Sequence, residues 1–193
     1  FTLLDLSPAA PGAVADLRLA ETTTPGGGRQ PGWTAYGNFP DTTEAAGDAW
    51  FNTSDYDTPY LGTFAYQTFL HEIGHTLGLK HGHLPGFGNP SLPGEWDSQE
   101  FTVMTYRAYV GQDSDGYGIP AGNYPQSYMM LDIRALQELY GADFGFRATD
   151  TVYRFNPDNG EMKVDGVGQG VPSVNVIFRT IWDGGGTDTY DFS

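Results

Sequence analysis

Three histidines and a glutamate near the middle of the chain form the pattern HExxHxxGxxH. His71 and His75 are four residues apart, so on a helix both imidazoles project from one face and can bind one cation. Gly78 can adopt a positive φ and end the helix, which lets the chain turn back and bring His81 to the same ion. The spacing therefore predicts a zinc site with three imidazole ligands.

Glu72 follows the first of these histidines directly. Three neutral imidazoles leave zinc a position for a water molecule, whose pKa falls to roughly 7 in catalytic sites. Glu72 is placed to take a proton from this water and pass it to a leaving amine, while the metal polarises a carbonyl. A lone HExxH arises by chance much more readily than the complete motif, so the complete motif carries the prediction. We expect amide hydrolysis with Glu72 as general base.

Two residues downstream of the motif also bear on the site. His83 is interpreted as a solvated loop residue, because a fourth imidazole would close the zinc site to water. A methionine taken alone is ordinary core filling, but the long zinc motif followed by Met104 resembles the signature of the metzincin proteases. That resemblance implies that Met104 lies beneath the metal.

The elements that must position these residues are two helices and an irregular segment. Residues 63–79 carry apolar side chains at helical spacing without a proline, and we expect them to form the helix that bears the motif. A second helix over residues 129–140 would end at Gly141. Its apolar residues fall on one face: Met130, Ile133, Leu136, Leu139 and Tyr140. Residues 81–122 are rich in Gly, Pro, Asp and Ser, and are expected to be irregular and to wall a cleft.

Short apolar or alternating segments predict strands. They are residues 1–6, 14–20, 33–36, 49–52, 151–153 and 174–178. Residues 22–28 are too rich in Gly and Pro for a helix or a strand and predict a linker.

Composition limits the classes of partner. The 193 residues suit one domain or two lobes around a cleft. A net charge of -15 would repel a phosphate backbone, so nucleic acid is not expected as a partner. No stretch approaches the roughly 20 apolar residues of a membrane span. The chain has no cysteine, and its abundance of Gly, Asp and Thr with few Lys is typical of secreted bacterial proteins that calcium stabilises.

Several segments beyond the zinc motif resemble the serralysin family of bacterial metzincin proteases. These segments are residues 67–79, 103–106, 132–141, 150–153 and 182–193. The resemblance implies an α+β (mixed α/β), zincin-like metzincin fold with a twisted, mostly parallel sheet, an active-site helix and an irregular lower lobe that bears the second helix. It divides the chain into a catalytic domain over residues 1–146, with an upper lobe to about 81 and a lower lobe over 82–146, and a segment over 147–193 that leads into a calcium-binding repeat domain.

The resemblance also implies roles for individual residues. Tyr106 would lie near zinc as an additional ligand or as a stabiliser of the oxyanion. A calcium ion would join two oxygen-rich segments through Arg147, Thr149, Thr151, Asp183, Gly185, Gly186 and Asp188. A protein or peptide substrate would lie extended along an edge strand near residues 49–52. The protein would be a secreted, extracellular monomer without disulfides.

Two features depart from the family pattern. The family has proline directly after the third zinc histidine, whereas this chain has Gly82, so we expect a differently shaped or looser loop there. Compared with the family, we also expect the chain to start late, after the first strand and the long helix that back the sheet. We interpret it as a piece of a longer protein that would expose apolar surface in isolation.

The function expected from the sequence is that of a secreted zinc endopeptidase that hydrolyses internal peptide bonds of proteins. The alternative from another class is a non-catalytic zinc- and calcium-binding module of a larger surface protein, in which zinc is a structural cross-link. Glu72 argues against the alternative, because a purely structural site needs no base. A metzincin from another branch is a third interpretation.

Overall fold

The computed structural model of the protein describes residues 1–23, 34–56, 58–113 and 118–193. In these ranges the elements follow in the order β1 (Arg18–Thr22), β2 (Ala35–Gly37), β3 (Asp48–Asn52), α1 (Phe64–Thr76), α2 (Met130–Tyr140), β4 (Val152–Phe155), β5 (Met162–Val164), β6 (Val167–Gly168) and β7 (Thr189–Asp191). Within the described residues, two α-helices, a short 3-10 helix (Gly94–Trp96) and two small sheets make a mixed α/β structure, as the sequence predicts at that level. No helix in the described ranges is long and apolar enough to cross a membrane.

The first sheet has the order β1-β3-β2. The central strand β3 runs parallel to β1 and antiparallel to β2, so the described part of the sheet is not mostly parallel. The prediction that residues 49–52 form an edge strand is also wrong. Ala49 and Phe51 are 0% and 1% exposed, and a strand buried to this degree suits the centre of a sheet. β2 forms the edge of the described sheet on the side of β3 opposite to β1.

Local signals fix the bounds of α1. The hydroxyl of Thr63, the N-cap residue, accepts a hydrogen bond of 3.2 Å from the backbone N–H of Tyr66. The helix ends before Gly78, which has a φ of 96° as the sequence predicts. This positive φ turns the chain back under the helix towards His81.

Close packing joins α1 to the first sheet. A Cβ atom on Gly37 would lie 2.3 Å from the carbonyl oxygen of Glu72, so only glycine allows β2 to approach the helix this closely. On the other side of the contact, the rings of Phe51 and Phe69 stack with centroids 4.0 Å apart. Tyr56 completes this cluster with its ring 5.8 Å from Phe51. The helix that bears the zinc motif is therefore held against the sheet along its length.

The second helix, α2, closes the core below α1. The buried core cluster contains Leu77, Leu79, Val103, Met104, Met129 and Leu136. Ile133 and Leu136 of α2 are 5% and 1% exposed, but Met130 and Leu139 are 49% and 56% exposed. The predicted apolar face is therefore wider than the face that the described structure buries. Gly141 ends the helix with a φ of 82°, as predicted.

The second sheet has the order β6-β5-β4-β7 and a core of Tyr153, Phe155, Met162 and Val164. The predicted strand at 151–153 is β4, and the strand predicted at 14–20 is shifted to β1. Residues 174–178 do not form a strand. Their backbone makes hydrogen bonds with loops instead; for example, the carbonyl of Phe178 accepts a hydrogen bond of 2.8 Å from the N–H of Gln126. Residues 1–6 make only an isolated bridge between Thr2 and Ala142. Trp33 and most of the predicted linker, residues 24–28, lie outside the described residues.

Candidate metal centre

The three histidines of the motif converge on one point. His71 and His75 lie on the last turns of α1, and His81 comes from the loop that follows. The Nε2 atom of His81 lies 3.0 Å from Nε2 of His71 and 3.1 Å from Nε2 of His75. Among the described residues, this is the one cluster of three or more His, Cys, Asp or Glu side chains whose ligand atoms lie within 4.8 Å of one another.

Hydrogen bonds fix the tautomers of the two helical histidines. Nδ1 of His71 lies 2.8 Å from the carbonyl of Val103, and Nδ1 of His75 lies 2.7 Å from the carbonyl of Leu79. A carbonyl only accepts, so each Nδ1 carries the proton and each Nε2 presents a lone pair. Burial lowers the pKa of all three imidazoles, that of His71 well below its usual range and that of His81 to about 3. Neutral nitrogens that face one another at this distance fit a cation between them.

Glu72 is buried beside the histidines, with 8% of its surface exposed. Burial raises the pKa of its carboxyl to about 8, and a hydrogen bond from the backbone N–H of Gly37 opposes the shift. A carboxyl in this range can both accept and release a proton near neutral pH.

Tyr106 reaches the same point from the segment that follows Met104. Its hydroxyl lies 3.1 Å from Nε2 of His81, and its ring stacks on that of His71 with centroids 5.7 Å apart. Burial raises the pKa of the phenol further above its usual value, so it stays protonated at neutral pH. The hydroxyl is therefore available as a ligand or as a hydrogen-bond donor.

Met104 packs directly beneath α1. The residue is 2% exposed, and its sulfur would lie 2.6 Å from a Cβ atom on Gly74, which lies between the two helical histidines. Met104 therefore packs against the part of α1 that carries the two helical histidines.

His83 is not the solvated residue that the sequence suggested. Its ring is half-buried and lies 5.2 Å from the ring of His81 at an interplanar angle of 13°. It also packs 4.9 Å from the ring of Tyr106. The loop folds back on itself after Gly82, which brings the two imidazoles together. His83 lies outside the cluster of possible ligands and supports the third one by stacking.

Two residues that support the site, Gln67 and Asp132, were not predicted from the sequence. The side-chain amide of Gln67 donates to the carbonyl of Val103 at 3.1 Å, and the carboxyl of Asp132 accepts from the N–H of Val103 at 2.8 Å. The peptide groups on both sides of Val103 are therefore held in place, and the carbonyl orients His71. Gln67 could have been found from its position one helical turn before His71. Asp132 could have been found as an acidic residue in the first turn of the second helix.

A cleft of about 640 Å³ lies over the histidines. Its walls include β2 on one side and residues 84–87 on the other. The substrate strand expected at residues 49–52 is therefore misplaced, because β3 is paired along both of its edges. In the described part of the sheet β2 pairs with β3 alone and leaves its outer edge towards the cleft.

The predicted calcium ligands are brought together by the structure. Their segments are residues 147–151 and 183–188, which pack side by side at the edge of the second sheet. The N–H of Thr151 donates to the carboxylate of Asp188 at 3.0 Å. A Cβ atom on Gly186 would lie 2.7 Å from the carbonyl oxygen of Thr149, so the glycine allows the two backbones to approach. Arg147 has a φ of 53°, which turns the first segment. This concentration of carbonyl and carboxylate oxygens fits a calcium ion.

Gly82 is held more tightly than its departure from the family pattern suggested. Its N–H donates to the carbonyl of Met104 at 3.1 Å, and its carbonyl accepts from the N–H of Leu92 at 2.8 Å. A Cβ atom at this position would lie 2.9 Å from both the carboxylate of Asp97 and the side chain of Leu92. Proline would lose the first bond and meet the same atoms. The loop is therefore held by a hydrogen bond to Met104 and is not loose.

Gly82→Pro is expected to destabilise the protein although it restores the residue typical of the family. Proline cannot donate to the carbonyl of Met104, and that buried carbonyl would be left without its hydrogen bond. The loss lowers the free energy of unfolding by about 2 kcal/mol and Tm by roughly 4 °C or more. Thermal unfolding and a zinc competition titration would show lower Tm and weaker zinc binding. Gly82→Ala should have a smaller effect of the same sign, and Gly94→Ala, which meets nothing within 4 Å, should have none. An unchanged Tm in Gly82→Pro would contradict the importance of this bond.

Comparison with known proteins relates the chain to the serralysins. Residues 142–193 match the family model described as Peptidase M10 serralysin C terminal. The chain is 38% identical over 184 residues to Serralysin G of Dickeya chrysanthemi, an alignment that covers 89% of this chain and 36% of the relative. It is 38% identical over 177 residues to Serralysin of Proteus mirabilis, covering 82% and 33%. It is 36% identical over 156 residues to Metalloprotease AprA of Pseudomonas entomophila (strain L48), covering 76% and 31%. The chain thus spans about a third of the length of these relatives.

Proposed function

We propose that this chain contains the catalytic zinc centre of a secreted metalloendopeptidase of the serralysin type. The observation that carries the proposal is the convergence of three neutral imidazole nitrogens next to the buried carboxyl of Glu72. The relatives named serralysin or metalloprotease support it. An alignment that covers 76% or more of a 193-residue chain includes its central part, so these alignments extend over residues 71–106.

His71, His75 and His81 would hold the zinc ion through Nε2. Bound zinc would supply a Lewis acid that polarises a carbonyl and makes water more acidic. Glu72 takes up a proton from the attacking water and returns it to the leaving amine, for which its position in the cleft beside the histidines suits it. The phenol of Tyr106 points at the same centre and donates a hydrogen bond to the oxygen on which negative charge develops.

The edge of β2 that faces the cleft is the surface on which an extended peptide would lie. Main-chain hydrogen bonds to an edge strand give affinity without fixing the side chains of the ligand. Gly37 is close to Glu72 and makes β2 adjacent to the site of proton transfer. A peptide along this edge would pass directly over the histidines, as a substrate of an endopeptidase must.

Residues 1–146 would form the catalytic domain, with lobes divided near residue 81, and residues 147–193 would lead towards a calcium-binding repeat domain. The protein would act outside a bacterial cell as a monomer on protein substrates. A net charge of -15 disfavours nucleic acid as a partner. A structural role for the zinc site would leave the buried Glu72 without a use, so the non-catalytic module is not preferred.

Removal of the metal tests the proposed function. The purified full-length protein is expected to bind about one zinc ion at the histidine cluster, and to lose casein hydrolysis when a strong chelator removes this ion. Returning stoichiometric zinc should restore the activity. Full hydrolysis by protein from which zinc has been removed would contradict a zinc-dependent mechanism.

Calcium is proposed to bind between residues 147–151 and 183–188. A ligand that binds only the folded state stabilises it, so millimolar calcium should raise the Tm of the full-length protein. Asp188→Ala should make that increase smaller, because calcium sites in the proposed repeat domain remain, whereas Asp158→Ala, in an exposed turn of the same region, should leave the increase at the parent value. If calcium leaves Tm unchanged in the parent protein, the site does not exist.

A further inference from the structure

Residues 84–87 form the wall of the cleft opposite β2, which we call the lower wall, and this loop ends in a tight two-residue turn. Gly86 and Asn89 exchange two backbone hydrogen bonds of 3.0 and 2.9 Å. The residues between them, Phe87 and Gly88, have φ angles of 50° and 78°. Positive φ at both central positions is the hallmark of a type I′ turn.

Phenylalanine is poorly suited to this conformation. The first central position of a type I′ turn strongly favours Asn, Asp or Gly, because other side chains are crowded when φ is positive. Such strain persists where another requirement outweighs local stability, and it is concentrated at functional sites. The ring of Phe87 is 69% exposed, so burial in the core does not explain its presence.

The contacts of Phe87 place it in the cleft. Its ring lies 4.8 Å from the ring of Phe39, which in turn lies 5.0 Å from the ring of His75. Phe39 lies two residues after the edge strand β2. The contact between Phe39 and Phe87 therefore links the wall that contains β2 to the lower wall, next to the histidine cluster. Leu84 lines the cleft beside them and is 49% exposed. Lys80 fixes the loop by donating to the carbonyl of Leu84 at 2.8 Å.

We propose that Phe39, Leu84 and Phe87 form an apolar subsite that receives one hydrophobic side chain of the peptide substrate, next to His75. This inference rests on the proposed function and adds the class of side chain that the cleft selects. A peptide extended along β2 continues past Phe39, and its alternate side chains point towards the lower wall. A side chain there covers exposed aromatic surface, which rewards apolar residues over polar or charged ones.

Phe87→Asn separates this role from folding, because asparagine suits the first position of a type I′ turn. The variant should keep or exceed the Tm of the parent protein. Cleavage of a randomised peptide library by the full-length, zinc-loaded protein should show a hydrophobic preference at one position relative to the scissile bond. In Phe87→Asn that preference, expressed as a ratio of kcat/KM values, should fall roughly tenfold.

Phe192→Asn is the matched control. Phe192 is 67% exposed and its ring stacks on that of Phe155 at 4.8 Å, but it directly follows β7 of the second sheet and does not line the cleft. It should leave the cleavage profile unchanged. The subsite is refuted if the parent protein shows no hydrophobic preference at any position, if it prefers acidic residues there through Lys80, or if Phe87→Asn retains the parent profile.

Peptide binding measured without turnover distinguishes failure of the subsite from failure of the proposed function. In a Glu72→Gln background, calorimetry should show that peptides with Phe at the selected position bind roughly tenfold tighter than matched peptides with Ala. Adding Phe87→Asn should remove the difference. Loss of the difference supports the subsite even if the parent protein cleaves nothing, whereas equal affinities in the Glu72→Gln background overturn it.

Discussion

Glu72→Gln is expected to lower kcat for peptide hydrolysis by roughly 10²–10⁴-fold while leaving zinc bound. Glutamine keeps the shape of the side chain and can accept the hydrogen bond from the N–H of Gly37, but its amide cannot take up a proton. The three imidazoles are positioned by Val103, Leu79 and the loop after α1, not by Glu72, so the metal site should be unaffected. Metal content and casein hydrolysis, measured on the same preparation, check both parts.

The matched control is Glu138→Gln. Glu138 forms an exposed pair with Arg134 on α2, and its side chain is 67% exposed. This variant should retain parent activity, because an exposed pair of this kind contributes little to stability. Normal casein hydrolysis by Glu72→Gln would remove Glu72 from the mechanism and favour a structural role for the zinc site.

Tyr106→Phe is expected to lower kcat by about a hundredfold to a thousandfold, the usual effect of removing one donor to a developing oxyanion. The hydroxyl lies 3.1 Å from Nε2 of His81 and is protonated at neutral pH, so it can bind near the metal and then donate to the substrate. Phenylalanine preserves the stacking on His71 and removes only the oxygen. Steady-state kinetics with a fluorogenic peptide should show the loss in kcat, with zinc content unchanged.

Tyr109→Phe provides the comparison for this variant. Tyr109 lies three residues further along the same segment, is 63% exposed, and should tolerate the change. If Tyr106→Phe keeps its zinc and fold but cleaves within about threefold of the parent rate, the effect on the barrier is below roughly 1 kcal/mol. Tyr106 would then be a packing residue.

Local patterns predicted the elements nearest the site well. α1, the positive φ of Gly78, α2 and the stop at Gly141 all follow from helical spacing and glycine placement, which act over a few residues. The positions of β3 and β4 follow from short apolar runs. The histidine cluster is itself a local consequence of one helix and one turn, which is why its assembly could be expected from spacing.

Pairing between distant segments could not be read in the same way. Residues 174–178 are as apolar as β3, but they form hydrogen bonds with loops and have no strand partner in the described structure. The choice of β2 over β3 as the edge beside the cleft depends on which strand is covered on both sides. A single strand pattern contains no information on its neighbours.

Side chains around the site show the same limit. The stacking of His83 on His81 and the strained turn at Phe87 depend on how the loop after α1 folds back, and composition alone predicted only irregularity there. The restraint on Gly82 arises from Met104 and Leu92, which are distant in sequence. Such contacts are visible only after the chain has been folded.

The most direct test of the account is an anomalous-scattering map at the zinc absorption edge from crystals of the zinc-loaded protein. We predict one zinc peak between His71, His75 and His81, with each Nε2 about 2.0–2.1 Å away and with Glu72 outside the ligand set. The position towards the cleft should be open to solvent or to the hydroxyl of Tyr106. A peak closed by His83 as a fourth imidazole, or the absence of zinc from this cluster, would contradict a catalytic centre.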